Sequence, residues 1–345
     1  MPGEGGATLP PVAPGRPSAA AIRSASLTDN LPPLEGMRLG QTSPVTWPLG
    51  RTIGNWLELL RWHKPSGRLI LLIPAGWALW LHPLSPPPAA LVGWIVLGGL
   101  AVSGAGCVAN DLWDRSIDPL VDRTKGRPLA DGRVKVGTAW ALLGSCLAVA
   151  LLVVLALPDP SRGTCLALAL ACLPPVLLYP SAKRWFPFPQ LVLALCWGFA
   201  VLIPWAASSG EVGAASGAAL RVLLLTWLAT LLWTFGFDTV YAMSDREDDR
   251  RIGVRSSALT LGPAAPAVVA VCYALTCLAL GGAAWLRGVN HPVFWLLWAG
   301  ATLAMQREAW ILRRPDLPRV TYGRHFSHQV WLGSLMLLGL VVAQT

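Results

Sequence analysis

"ALVGWIVLGGLAVSGAGCVANDLWDRSIDPLVDRTKGRP", residues 90–128, runs through an apolar stretch without a charge and then places Asn110, Asp111, Asp114 and Asp118 in nine positions. An uncharged apolar run of about 20 residues is what a helix needs to cross the hydrocarbon core of a bilayer. Comparable runs lie near 67–82, 137–157, 162–179, 191–209, 218–240, 263–286, 291–306 and 326–344, nine in all with this one. None alternates with the period of two that a barrel strand requires. The composition agrees: 54% of residues are hydrophobic and 13% charged, against about 25% charged in a soluble domain. The expected fold class is an all-α integral membrane protein, with nine transmembrane helices in a bundle over residues 47–345.

Lys and Arg set the orientation. They gather in alternate connections, at 110–136, 180–190, 242–262 and 307–325, while the opposite connections hold little beyond Arg162, Arg221 and Arg287. This places the N-terminus in the cytoplasm and the C-terminus outside, with a bacterial plasma membrane as the expected location. The net charge of +9 then reflects topology and calls for no nucleic-acid partner. Residues 1–46 are rich in Pro, Gly, Ala and Ser and read as a disordered extension. "RTIGNWLELLRWHK", 51–64, reads as an amphipathic interfacial helix with Ile53, Trp56, Leu57 and Leu60 on one face. The seven cysteines lie in or beside apolar runs and form no CxxC pair, so they read as small core residues.

The acids are not scattered. Of eighteen acidic residues, five fall in 110–131 and five in 238–249, both on the cytoplasmic side. Asn110, Asp114 and Asp118 are spaced by four, and so are Asp245 and Asp249. At 3.6 residues per turn such groups stack on one helix face, where unpaired like charges repel. A hard divalent cation relieves the repulsion, and Mg²⁺ takes oxygen ligands while keeping waters and phosphates in its shell. Two such patches suggest one cavity lined from two helices that binds an anionic diphosphate through metal. Nearby cations fit the same ligand: Arg123 and Arg127 after the first patch, Lys183 and Arg184 between the two, and Arg246 within the second. Asp111, Asp122, Asp131 and Glu247 read as solvated or supporting. His325 and His328 form an HxxH with no neighbouring carboxylate in sequence and read as interfacial packing.

These motifs resemble a known family. "NDLWDRSIDPLVDRTKGRPLADGRV" (110–134) and "DTVYAMSDREDDRRIGVRSSA" (238–258) resemble the two aspartate-rich motifs of the UbiA superfamily of intramembrane aromatic prenyltransferases. "RWHKPSGRLILLIPAGWAL" (61–79) and "LLYPSAKRWFPFPQ" (177–190) are similar to its first span and central loop. The details point to the branch that acts on 4-hydroxybenzoate. The resemblance implies a nine-helix bundle around a central cavity open sideways to lipid. It implies transfer of a polyprenyl group from an allylic diphosphate to the ring of 4-hydroxybenzoate, in the making of plastoquinone or ubiquinone. It assigns Mg²⁺-diphosphate binding and catalysis to Asp114, Asp118, Asp245 and Asp249, with Asn110 as a further metal ligand. It gives substrate-binding roles to Arg61, Lys64, Arg123, Arg127, Tyr179, Lys183, Arg184, Asp238, Tyr241 and Arg246.

A cation-coupled transporter would line a path across the membrane with carboxylates, whereas here the outer half of the bundle is almost uncharged. A passive scaffold needs no pair of metal-spaced clusters. Within the superfamily, homogentisate or a chlorophyll precursor is the alternative acceptor.

Overall fold

The computed structural model describes residues 48–64, 66–210 and 217–344; the disorder expected for 1–46 lies outside them. Among these residues there are helices and no strands. They run α1 (Pro48–Leu59), α2 (Ser66–Leu81), α3 (Ala89–Trp113), α4 (Val136–Leu155), α5 (Ser161–Trp185), α6 (Pro189–Ser209), α7 (Gly217–Met243), α8 (Arg246–Ile252), α9 (Ser257–Leu261), α10 (Ala265–Arg287), α11 (Pro292–Ile311) and α12 (Arg319–Val342).

A helix covers each of the nine expected apolar runs. Among the described residues, seven spans are by themselves long and apolar enough to cross a membrane. The other two expected runs fall short for different reasons. α2 has 16 residues, a rise of about 24 Å at 1.5 Å per residue. α11 carries the polar Gln306, Arg307 and Glu308 in its last two turns. The outer surface suits lipid: Leu152, Leu296, Leu303 and Trp331 stand 65%, 72%, 73% and 71% exposed, a pattern that water would penalise. The chain is an integral membrane protein. On α1, Ile53, Trp56 and Leu57 are likewise exposed while Leu59 is buried, as an interfacial helix requires.

α7 is an inner helix, packed against α10, α6, α12 and α2. Half of its span is buried, against 17% for α3 and for α4. Its buried Thr226 and Thr230 return their hydroxyls to the carbonyls of Val222 and Thr226, at 2.8 and 3.0 Å, so these two donors stay satisfied in the apolar interior. An aromatic chain joins the core to the end of α7 that carries Tyr241: Trp77–Trp233, Trp233–Phe237, Phe237–Phe326 and Phe326–Tyr241, with ring centroids 5.0 to 5.8 Å apart. Trp233 donates its indole N–H to Gln329 at 3.0 Å.

Close packing of α10 on α7 depends on Gly236. A Cβ there would lie 2.6 Å from Cε1 of Tyr273, a fully buried ring. Gly236→Leu should therefore cost about 1–3 kcal/mol through overpacking, read as a lower thermal midpoint of the detergent-solubilised protein. An unchanged midpoint would show that the helices can separate freely at this point.

Candidate active site

α3 and α7 deliver the two acidic motifs to one cavity. α3 ends at Trp113, but its hydrogen-bond pattern continues: Asp114 N–H donates to Asn110 O at 2.9 Å, and Asp118 N–H to Asp114 O at 2.8 Å. The expected spacing of four is thus kept beyond the helix itself. Asp118 opens a short 3-10 turn shaped by Pro119, and the buried Thr124 hydroxyl holds it by donating to Asp118 O at 2.9 Å. After α7, Asp245 stands at the N-cap position of α8, and Asp249 N–H donates to Asp245 O at 2.8 Å. Gly253, at φ 78, closes α8; Gly253 and Val254 both donate to Asp249 O. This is the left-handed stop that favours glycine.

The cavity has a volume of about 450 Å³. Asn110, Asp114, Asp118, Asp245 and Asp249 line it, together with Arg61, Arg123, Arg127, Tyr179, Lys183, Asp238 and Tyr241. One wall is less polar, with Leu71, Val102, Leu193 and Trp197.

Its charges are paired across elements. Lys183 Nζ lies 2.5 Å from Asp114 Oδ2. Arg123, from the loop after α3, reaches the second motif: its Nη2 is 2.7 Å from Asp245 Oδ2 and its Nε is 3.1 Å from both carboxylate oxygens. Arg123 Nη1 also donates to the Tyr241 hydroxyl at 3.0 Å, and the guanidinium lies 5.1 Å from that ring's centroid. Arg127 Nη1 is shared between Asp118 Oδ2 at 2.9 Å and Asp111 Oδ1 at 3.0 Å. Burial raises the Asp118 carboxyl above its ordinary range, against the pull of Arg127. Burial and the neighbouring Asp245 charge push Asp249 up to about 6.

Among the described residues, no three His, Cys, Asp or Glu side chains stand close enough to form a ready-made metal cage. The donor set still fits a hard cation. Asp114 Oδ1 is buried in the cavity wall without a hydrogen-bond partner, and Asp245 and Asp249 place two carboxylates side by side along the same wall. Carboxylates from both motifs, with waters and phosphate oxygens, are the ligands Mg²⁺ accepts.

Three expected substrate contacts are not brought to this cavity. Arg246 turns from it and donates to the carbonyls of Ala258 and Gly262 at 3.2 and 3.0 Å, fastening α8 to the segment that leads into α10. Its position inside the motif concealed that its guanidinium binds backbone carbonyls instead of entering the cavity. Arg184 is exposed beyond the lining, next to Lys183 but on another face of α5. Lys64 is exposed outside the lining as well. Partial burial and the charges of Arg61, Arg123 and Arg127 lower its pKa from the ordinary lysine value.

Other residues exceed their sequence reading. Asp111 is not solvated: its side chain is 1% exposed and it binds Arg61 at 2.7 Å as well as Arg127. The spacing 111, 114, 118 is i, i+3, i+7 and shares a helix face, a signal that attention to the four-residue spacing obscured. Cys107, Cys172 and Cys196 line the cavity rather than a closed core, and all are free thiols. Arg255 also lines it; it donates to Trp185 O at 2.8 Å, and its backbone N–H donates to Lys183 O at 2.7 Å. The HxxH does have a carboxylate, supplied by another helix. Glu308 of α11 lies 3.3 Å from Nδ1 of His325 and 3.2 Å from Nδ1 of His328, and Tyr273 hydrogen-bonds His325 Nε2 at 2.7 Å. None of these four residues lines the cavity.

The UbiA prenyltransferase family matches residues 71–329. The chain is 45% identical to a 4-hydroxybenzoate solanesyltransferase of Synechocystis sp. over 307 residues, which cover 87% of this chain and 98% of that protein. It is 38% identical to a 4-hydroxybenzoate octaprenyltransferase of Dechloromonas aromatica, covering 86% and 97%. Among solved structures, a UbiA homologue from Aeropyrum pernix K1 superposes with a TM-score of 0.67 at 27% identity, covering 79% of this chain and 97% of that one. A UbiA homologue from Archaeoglobus fulgidus, bound to GPP and Mg²⁺, shares the fold with a TM-score of 0.54 at 18% identity, covering 82% and 99%. A bundle of apolar helices with two acidic motifs meeting over a basic cavity, matched over most of its length by these proteins, is a member of the UbiA prenyltransferase family.

Proposed function

We propose that this chain is a Mg²⁺-dependent 4-hydroxybenzoate polyprenyltransferase serving isoprenoid quinone synthesis. The reading rests above all on Arg123, which bridges the two acidic motifs across one cavity through Asp245 and Tyr241. The names carried by the similar proteins supply the acceptor and the donor class. The cavity sits on the cytoplasmic side of a nine-span bundle, α2 and α11 included, with the N-terminus inside, the C-terminus outside and the bacterial plasma membrane as its location.

The residues divide the work. Asn110, Asp114, Asp118, Asp245 and Asp249 would hold Mg²⁺, which when bound supplies positive charge to a departing diphosphate. Lys183, Arg123 and Arg127 stand where that charge develops and stabilise it as it forms. The allylic C1–O bond breaks, and its electrons leave with diphosphate. The ring carbon ortho to the hydroxyl of 4-hydroxybenzoate bonds to C1, and the ring then gives up a proton. Arg61 offers positive charge to the acceptor's carboxylate, and Tyr179 and Asp238 border the same space. Leu71, Val102 and Trp197 keep water from the allylic cation. A volume of about 450 Å³ holds the reacting groups and the first isoprene units. The remaining tail lies in lipid, where each buried CH₂ contributes about 0.8 kcal/mol.

Membranes carrying the protein, given 4-hydroxybenzoate and prenyl diphosphates of increasing length with Mg²⁺, should form a prenylated acid with at least one donor. EDTA should stop the reaction. No product with any donor removes the assignment; product that persists in EDTA removes the metal.

A further inference from the structure

Asp111 has no place among the metal ligands or substrate contacts above, yet it is the most buried carboxylate of the first motif. Its side chain is 1% exposed, against 6% for both Asp114 and Asp118. Asp111 accepts from Arg61 Nη2 through both oxygens, at 2.7 and 2.9 Å. The turn that presents Arg61 has a cost of its own, since Arg61 sits at φ 61, a left-handed backbone that residues other than glycine rarely adopt. The second partner of Asp111 is Arg127. One nitrogen, Arg127 Nη1, divides its bonds between Asp111 and Asp118 at 3.0 and 2.9 Å.

That division matters for Asp118. A guanidinium facing a single carboxylate tends to close on both oxygens in a two-pronged pair. Such a pair on Asp118 would occupy the lone pairs that a cation needs. With Asp111 charged, Arg127 is held between two acceptors and engages Asp118 through Oδ2 alone. Without that charge, Asp118 is the one carboxylate left within bonding distance of Arg127 among the described residues.

We propose that Asp111 is a positioning residue that draws Arg127 off Asp118 and so keeps Asp118 open to a divalent cation. The inference rests on reading the cavity as a metal–diphosphate site. It separates two roles within one motif: Asp118 binds the metal, while Asp111 controls the arginine that competes for Asp118. Arg61, held by Asp111 from the opposite side, keeps that buried carboxylate in place.

The test is Mn²⁺ binding to the purified full-length protein in detergent, followed by the electron paramagnetic resonance signal of free Mn²⁺. Asp111→Asn should weaken binding about tenfold, the scale of one charge-assisted hydrogen bond gained by the competitor. Adding Arg127→Gln to that variant should restore affinity to within about twofold of wild type. Adding Arg61→Gln instead should leave binding weak. This contrast is decisive, because a general loss of negative charge would be offset equally by removing either arginine. Equal rescue by both, or unchanged binding in Asp111→Asn, overturns the inference while the metal site stands. Wild-type protein that binds no Mn²⁺ overturns the metal reading and the inference with it. If Asp111→Asn does not fold, Asp111→Glu carries the test: it keeps the charge but shifts the acceptor, so binding should weaken several-fold, and unchanged affinity overturns the proposal.

Discussion

Asp114→Ala and Asp245→Ala should each reduce prenyl transfer by at least about a thousandfold, with protein levels and thermal midpoints close to wild type. Groups that stabilise developing charge are commonly worth about 10²–10³ in rate apiece, and these two also carry the proposed metal. Asp114 has one oxygen bound to Lys183 and the other buried with no partner. Its removal takes away a cation ligand and leaves Lys183 without its counter-charge. Asp245 is the acid that Arg123 grips with two nitrogens. Its removal releases the arginine that spans the cavity. The readout is initial rate at saturating donor and acceptor in membranes matched for protein content. Near wild-type rates in either variant would mean that the acids are structural counter-charges and no more.

Arg123→Leu should lower kcat/KM for the prenyl diphosphate by about two to three orders of magnitude, and Arg123→Lys should recover little of it. The geometry gives the reason. Arg123 binds Asp245 through Nε and Nη2 while Nη1 donates to Tyr241, and a single ammonium cannot occupy all three directions. The rate loss follows from two effects: a cation beside the leaving group disappears, and the first motif is no longer tied to the second. Full recovery with lysine would reduce the role of Arg123 to charge alone.

The fold was legible in the sequence because apolar length is a direct physical demand of the bilayer. The runs at 90–109 and 218–240 became α3 and α7 for that reason. Less legible were α2, which is short, and α11, which carries Gln306, Arg307 and Glu308 in its last two turns. Within the site, a spacing of four picked out Asn110, Asp114, Asp118, Asp245 and Asp249, which all line the cavity. It was blind to side-chain direction at the ends of helices. Arg246 lies next to Asp245 in sequence, yet it bonds the carbonyls of Ala258 and Gly262. Arg184 and Lys183 diverge in the same way, since consecutive residues on a helix point about 100° apart. Partners from distant segments were beyond the reach of local patterns. Nothing near His325 in sequence announces Glu308, and nothing near Asp111 announces Arg61, fifty positions away.

As proposed, this cavity joins a prenyl chain to the ring of 4-hydroxybenzoate. The most direct test is the structure of the product. Purified protein in lipid, supplied with Mg²⁺, 4-hydroxybenzoate labelled with ¹³C in the ring and a prenyl diphosphate, should yield one compound. Its nuclear magnetic resonance spectrum should place the new carbon–carbon bond ortho to the hydroxyl, with one diphosphate released per ring prenylated. Release of diphosphate with free prenol and an unmodified ring would contradict the account, and so would attachment through oxygen.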